Sequence, residues 1–161
     1  MTVKIIGITL LLMASVIGCG IRIGTARRVN QRVRAIAAML ERVEGMIRWQ
    51  ELSLPRALRQ ESGDPLAGEY IEKILEYAES ETPLQTSWVR AFCEIQPKEA
   101  AEILCNIELS GDKQQIMGAL HLASQQLRQL AVQTASEQGE KERLCLAVGF
   151  SFAGFLVIVL L

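Results

Sequence analysis

The hydrophobic residues of this chain follow two patterns, and the first is a pair of long apolar runs. Residues 5–21 and 144–161 contain no charged side chain. At about 1.5 Å per residue each run would form roughly 26 Å of helix, close to the roughly 30 Å apolar core of a bilayer. We therefore expect a transmembrane helix near each end of the chain, with residues 22–143 forming one domain between them.

The second pattern is a heptad repeat in two long segments, residues 26–51 and 112–138. The apolar positions, spaced alternately by four and three, are Val29, Val33, Ile36, Leu40, Val43 and Ile47, and then Ile116, Leu120, Ala123, Leu127, Leu130 and Thr134. Such seams let two helices pack at a shallow angle. Because each seam starts at a similar distance from its apolar run, we predict an antiparallel pair, with Val29 opposite Thr134 and Ile47 opposite Ile116. Pairing within one chain is the simpler interpretation, and self-association through the same seam is the alternative.

Short helices are predicted between these segments, because capping residues, prolines and glycines recur there. The predicted starts are Ser53 before Pro55, Asp64 before Pro65, Thr82 before Pro83, Pro97, and the turn Ser110-Gly111-Asp112 that leads into the second long helix. Strand-like alternation framed by hairpin turns is lacking. The predicted fold class is all-α: a long antiparallel helical hairpin with a cap of four short helices, flanked by N- and C-terminal transmembrane helices.

The basic residues indicate on which side of a membrane the central domain would lie. Residues 1–40 contain no acid, and five arginines directly follow the first apolar run: Arg22, Arg27, Arg28, Arg32 and Arg34. Basic residues that flank membrane spans are retained in the cytoplasm, so we predict a multi-pass protein with a cytoplasmic central domain. These arginines would also meet anionic lipid head groups of the bilayer. The net charge of −1 gives no indication of a nucleic-acid partner, and none is expected.

Residues that could carry chemistry are few. The four cysteines, Cys19, Cys93, Cys105 and Cys145, show no metal-binding or disulfide-type spacing, and His121 is the single histidine. His121 falls on the polar face of the second long segment, which favours a solvated or partner-facing side chain over a catalytic base. We therefore expect no enzymatic activity, no cofactor and no metal.

An alternative comes from Val16-Ile17-Gly18-Cys19, which resembles a lipoprotein cleavage box. It would make the protein an exported lipoprotein or a helical envelope sensor with Cys19 as its lipidation site. The arginines after Cys19 argue against it, because export would have to carry five of them across the membrane without a balancing acid.

Several stretches resemble the stage III sporulation protein AB family of endospore-forming bacteria. They are the N-terminal apolar run with its basic residues, AAMLERVEGMIRWQELSLPRAL at 37–58, Trp88, ELSGDKQQI at 108–116 and the ending LAVGFSFAGFLVIVLL. Ser110 and the stretch Arg48-Trp49-Gln50 depart from the family pattern. The family is similar to the cytoplasmic helical domain of the inner-membrane platform protein of type II secretion and type IV pilus systems.

The resemblance implies a platform or adaptor in the secretion-like complex that joins mother cell and forespore during engulfment. It implies a place in the mother-cell membrane facing the forespore, and as partners a secretion-type ATPase and other membrane proteins of that complex. We expect the partner surface around Leu54, Pro55, Trp88 and Gln115, because these residues lie away from the membrane anchors and carry the resemblance. A homo-oligomer is compatible with the sequence.

Overall fold

The computed structural model is helical in each of its regular elements. It describes the backbone of residues 2–80 and 82–160, and the side chains of residues 24–80, 82–137, 139, 143, 144 and 147. The helices are α1 (Thr2–Trp49), α2 (Leu54–Glu61), α3 (Gly68–Glu79), α4 (Leu84–Phe92), α5 (Lys98–Cys105) and α6 (Lys113–Leu160). Over these residues there is no strand, which confirms the all-α prediction for the described part of the chain.

The predicted transmembrane helices at 5–21 and 144–161 lie outside the described side chains, apart from Leu144 and Ala147. Among the residues that are described, no helix offers a stretch long and apolar enough to span a bilayer. The chain divides into two compact units, Met1–Arg28 with Gln133–Leu161, and Val29–Val132. The first is built from turns of α1 and α6. The predicted domain boundaries at residues 22 and 143 stay predictions.

In the second unit α1 and α6 run antiparallel, as the two seams predict. Arg128 donates to Glu41, and the His121 ring contacts Glu44. A later residue of α1 is thus paired with an earlier residue of α6, as in an antiparallel pair. The predicted register places residue 119 opposite Glu44, two residues from the observed partner His121. The pairing occurs within one chain, which is the simpler of the two interpretations.

The seam residues form the centre of the core. Val33, Ile36, Leu40, Val43 and Ile47 of α1 are buried, together with Leu120, Ala123 and Leu127 of α6. Burying one such large aliphatic side chain contributes about 1.5–3 kcal/mol. The buried stripe on α1 is wider than the seam, because Ala37 and Met39 are also completely buried. One neighbouring helix cannot cover so wide a stripe, and α1 therefore needs a second packing partner.

The short helices are that second partner. Their largest buried residues, Leu58, Ile71, Ile74, Trp88, Phe92 and Leu104, belong to the same core as the seam. Arg42, seven residues before the end of α1, donates to Glu61 at 2.7 Å and to Asp64 at 2.9 Å. The link between α2 and α3 thus lies against the side of α1. The predicted cap is therefore also a lateral layer along α1.

The link between α2 and α3 is organised by Asp64. Its Oδ1 accepts the backbone N–H groups of Leu66 at 2.9 Å and Ala67 at 3.0 Å. Burial alone would raise the pKa of Asp64, but these two N–H groups and the Arg42 guanidinium stabilise the carboxylate and bring its pKa below the usual value. Because these bonds form a tight turn, α3 begins at Gly68, later than the Asp64-Pro65 start that the sequence predicts.

The other helix starts agree with the sequence to different degrees. Ser53 occupies the position before α2 but makes no side-chain capping bond. Pro97 directly precedes α5, as predicted, whereas α4 begins at Leu84 with Pro83 in the position that the sequence assigns to Thr82. Asp112 caps α6, since its Oδ1 accepts the Gln115 N–H at 2.8 Å.

Two glycines in this unit should respond oppositely to alanine. A Cβ at Gly68 would lie 2.3 Å from the Ser62 carbonyl oxygen, whereas one at Gly118 would meet nothing within 4 Å. We expect Gly68→Ala to lower the free energy of unfolding by about 2 kcal/mol, through overpacking against backbone. Gly118→Ala should raise it by up to about 1 kcal/mol, because alanine favours helix.

Urea unfolding of the full chain, followed by the fluorescence of buried Trp88 in a Trp49→Phe background, measures both changes. Shifts of the same sign for the two variants would contradict this account of the turn.

Candidate interaction surface

The structure separates the four residues predicted to form the partner surface. Leu54 and Trp88 are only 7% and 0% exposed, whereas Pro55 and Gln115 are exposed. The expectation that a partner contacts Leu54 and Trp88 directly is therefore wrong, because both lie in the core. They can affect the shape of a surface only through the residues that cover them. Pro55 and Gln115 lie on the surface, and their part in partner binding stays a prediction.

Trp88 can be buried because its ring packs on another aromatic ring and its indole N–H has a hydrogen-bond acceptor. The indole N–H donates to the Leu104 carbonyl at 2.8 Å, which ties α4 to α5. Its ring lies 4.8 Å from that of Phe92, which in turn stacks on Tyr70 at 5.4 Å. A buried indole with a hydrogen-bonded N–H is stable in a core. Trp88 thus joins α4 to α5, and Phe92 beside it joins α4 to α3.

A different tryptophan is exposed. Trp49 is the last residue of α1, and 81% of its surface is exposed. The chain then turns at Glu51, whose φ of 54° lies in the left-handed region that non-glycine residues rarely adopt. Sequence reasoning missed Trp49 as a surface residue, although it falls outside the heptad seam that ends at Ile47.

Trp49, Pro55 and Gln115 belong to the same end of the hairpin, which we call the distal surface. The pair Glu44–His121 shows that the end of α1 lies beside the start of α6, where Gln115 is found. Pro55 lies in the first turn of α2, six residues beyond Trp49. An exposed aromatic side chain of this size is a common anchor in protein interfaces.

A polar cluster crosses the seam between α1 and α6. The Glu44 carboxylate, only 8% exposed, accepts from Arg48 at 2.5 Å and lies 3.0 Å from Nδ1 of His121. The other ring nitrogen, Nε2, lies 2.9 Å from the Gln125 amide nitrogen. With a proton on Nδ1, His121 donates to Glu44 and accepts from Gln125. Each polar group of this cluster then has a suitable partner.

This arrangement holds the two helices in register, and among the described side chains the imidazole is bonded to Glu44 and Gln125 and to no nucleophile. The Ser124 hydroxyl, three residues along α6, donates to the His121 backbone carbonyl at 2.7 Å instead of approaching the ring. Among the described side chains, no three histidine, cysteine or acidic residues gather as metal ligands would. His121 is half exposed, and its Nδ1 is bonded to Glu44 of α1. The expected solvated or partner-facing side chain therefore applies only to the exposed part of the ring.

The arginines predicted to set topology lie largely on the surface. Arg27, Arg28, Arg32 and Arg34 are exposed on α1, and Arg22 lies outside the described side chains. The charge of Arg32 helps to lower the pKa of Glu69 on α3, after the larger effect of its hydrogen bond to Lys73. These four arginines are therefore accessible to solvent on α1.

The two cysteines of the short helices differ in access. Cys93, at the end of α4, is exposed, and Cys105, at the end of α5, is half buried. Burial, with a smaller effect of Cys93, raises the pKa of the Cys105 thiol. Cys93 is therefore the better position for a chemical probe.

Comparison with known protein families gives one match. The family described as stage III sporulation protein AB matches residues 4–161, nearly the whole chain. The resemblance seen in the sequence is thereby confirmed. No curated protein and no solved structure matches the chain.

The contact between Glu44 and His121 should appear as a non-additive effect of two substitutions on the free energy of unfolding. We expect Glu44→Ala to lower the free energy of unfolding by about 2 kcal/mol, because Arg48 and His121 lose a buried acceptor. His121→Ala should cost about 1 kcal/mol, and the double variant less than the two changes together, by about 0.5–1.5 kcal/mol.

The same urea unfolding measurement applies, with His121→Ala combined with Glu72→Ala as the uncoupled control. Strict additivity of Glu44→Ala and His121→Ala would show that the Glu44–His121 contact does not stabilise the pair of helices.

Proposed function

The chain belongs to the stage III sporulation protein AB family, and on that premise we propose that it is a non-enzymatic platform or adaptor in a sporulation membrane complex. The complex would be the secretion-like channel that links mother cell and forespore at the engulfment stage. The observation that carries the proposal is the family match over residues 4–161. The described polar clusters of the domain join one helix to another. Such a domain suits a role in holding other proteins.

The proposed location is the mother-cell membrane facing the forespore, with the unit Val29–Val132 in the cytoplasm. Its support is the pair of uncharged runs at 5–21 and 144–161 and the basic residues beside them. Exposure of Arg27, Arg28, Arg32 and Arg34 fits contact with anionic head groups. The alternative, an exported lipoprotein with Cys19 lipidated, would place the same unit outside the cell.

The proposed partner is the secretion-type ATPase of the same complex, bound at the distal surface. In a chain anchored by the two apolar runs, the distal surface is the part of the hairpin farthest along α1 from the first run and along α6 from the second. It offers an exposed indole at Trp49, an exposed proline ring and a polar amide at Gln115. Aromatic anchors surrounded by polar groups characterise binding sites for proteins.

The location can be tested with Cys93 as the only thiol. In a chain with Cys19, Cys105 and Cys145 replaced by alanine, we expect a membrane-impermeant maleimide to leave intact cells unlabelled. Labelling should appear after the cells are permeabilised, because Cys93 is exposed on the folded domain. A Cys93→Ala chain controls for other thiols. Labelling of intact cells would support the exported lipoprotein instead.

The partner surface can be tested with the purified ATPase and the full chain in detergent. Trp49→Glu should weaken binding by more than about tenfold, since truncating a central aromatic anchor often costs 2 kcal/mol or more. Pro55→Glu and Gln115→Glu should have smaller effects of the same sign. Gln129→Glu, exposed on α6 away from the distal surface, is the control. Equal binding by Trp49→Glu and the unaltered chain would exclude the distal surface.

A further inference from the structure

Charge is divided unevenly within the unit Val29–Val132. Residues 51–112, which form α2–α5 and their links, contain 13 acidic and five basic side chains. The stretches 29–50 of α1 and 113–132 of α6 contain six basic and two acidic ones. Both of those acids are already paired, Glu44 with Arg48 and Glu41 with Arg128. Arg42, Arg48 and Arg128 are also paired, so the excess positive charge of the long helices comes from Arg32, Arg34 and Lys113, whereas the short helices are acidic.

The solvent-facing side of the long helices leaves room for a close neighbour. Gly45 and Gly118 stand in the interior of α1 and α6, and a Cβ at either position would meet nothing within 4 Å. A glycine in a helix interior costs roughly 1 kcal/mol relative to alanine. Packing within the chain gives no reason for either glycine. Both leave backbone open to approach from outside.

Exposed apolar and basic side chains lie on the same sides of the two helices as these glycines. Leu122 and Val132 are 57% and 63% exposed, and at about 100° per residue both fall within about 40° of Gly118 around α6. Arg34 falls within about 20° of Gly45 around α1, is exposed, and has no ion-pair partner among the described side chains. We call Arg34, Gly45, Gly118, Leu122 and Val132 the outward face. An open apolar surface with a basic edge suits an acidic partner.

The acidic counterpart is a ridge on α3. Glu69, Glu72, Glu76 and Glu79 are spaced by three, four and three residues, so they share one side of the helix, and all four are exposed. The ridge is about 15 Å long at 1.5 Å per residue, similar to the roughly 16 Å between Arg34 and Gly45. Lys73 and Arg59 pair with the first and last glutamates. Glu72 and Glu76, in the middle, have no ion pair among the described residues.

We propose that the outward face binds the acidic ridge of a second copy of this chain. The two surfaces are opposite in charge and similar in length, and they belong to different helices of one molecule. One contact therefore leaves a free ridge on one copy and a free outward face on the other. Such a heterologous contact repeats from copy to copy and forms a ring or an open row. Such a contact would form whether or not the chain binds an ATPase.

The mass of the full chain in a density-matched detergent, measured by sedimentation equilibrium, tests the proposal. We expect mass to rise above one chain with concentration, and to fall back at about 0.5 M NaCl, where charges are strongly screened. The ridge variant Glu72→Lys/Glu76→Lys and the face variant Arg34→Glu should each weaken association by about tenfold or more. Gly45→Leu should also block it, because the added side chain fills the open space, while urea unfolding shows the fold intact.

Mixing the two charge variants distinguishes this contact from one between identical faces. The ridge variant keeps an intact outward face, and the face variant keeps an intact ridge. Their equimolar mixture should therefore recover association that neither variant shows alone, because the intact face of one meets the intact ridge of the other and the two reversed surfaces are again opposite in charge. Glu99→Lys/Glu102→Lys is the matched control: it changes net charge by the same amount at exposed positions on α5, and should leave association unchanged.

Three results would overturn the proposal. The unaltered chain could remain a single copy at low ionic strength, in which case the outward face would serve a different acidic partner. The ridge variant could associate as the unaltered chain does, which would exclude α3. The mixture could fail to associate beyond the separate variants, which would point to a contact between identical faces.

Discussion

The width of the buried stripe on α1 determines the rest of this domain. Ala37 and Met39 are both completely buried, although at about 100° per residue they are about 160° apart around the helix. An amphipathic helix that packs on one neighbour buries a stripe roughly 100° wide. Two neighbours are therefore required: α6 covers the side that carries Glu44, and the short helices cover the side that carries Arg42. What remains uncovered is the outward face, so its position follows from the packing of the core.

The polar cluster adds what an apolar seam lacks, which is a unique register. A heptad seam can slide by seven residues and still bury its aliphatic side chains. Glu44 is a nearly buried carboxylate, and a shift would leave it without His121, with the loss of a buried hydrogen bond. The Arg128–Glu41 pair repeats the constraint two turns away along α6. Register is thus set by a few polar contacts, whereas most of the stability comes from apolar burial.

Local patterns predicted those parts of the fold that depend on neighbours in sequence. The heptad spacing identified Val33, Ile36, Leu40 and Val43 as buried, and the prolines located the starts of α4 and α5. The candidate site was predicted less well, because exposure in the short helices depends on distant contacts. The partner surface was expected around Trp88, yet its indole is buried and bonded to Leu104, 16 residues later. In the same way the partner of Glu44 is 77 residues away, which no spacing rule reveals.

The separation of charge allows two kinds of contact on one small domain. The distal surface depends on one large aromatic side chain, Trp49, so binding there should be little affected by salt. The outward face and the ridge of α3 depend on charge, and contacts between them should weaken as ionic strength rises. A chain with the proposed platform role would have to bind further copies of itself and also hold a different partner. Two surfaces that respond differently to ionic strength meet both needs, because occupation of one does not require the residues of the other.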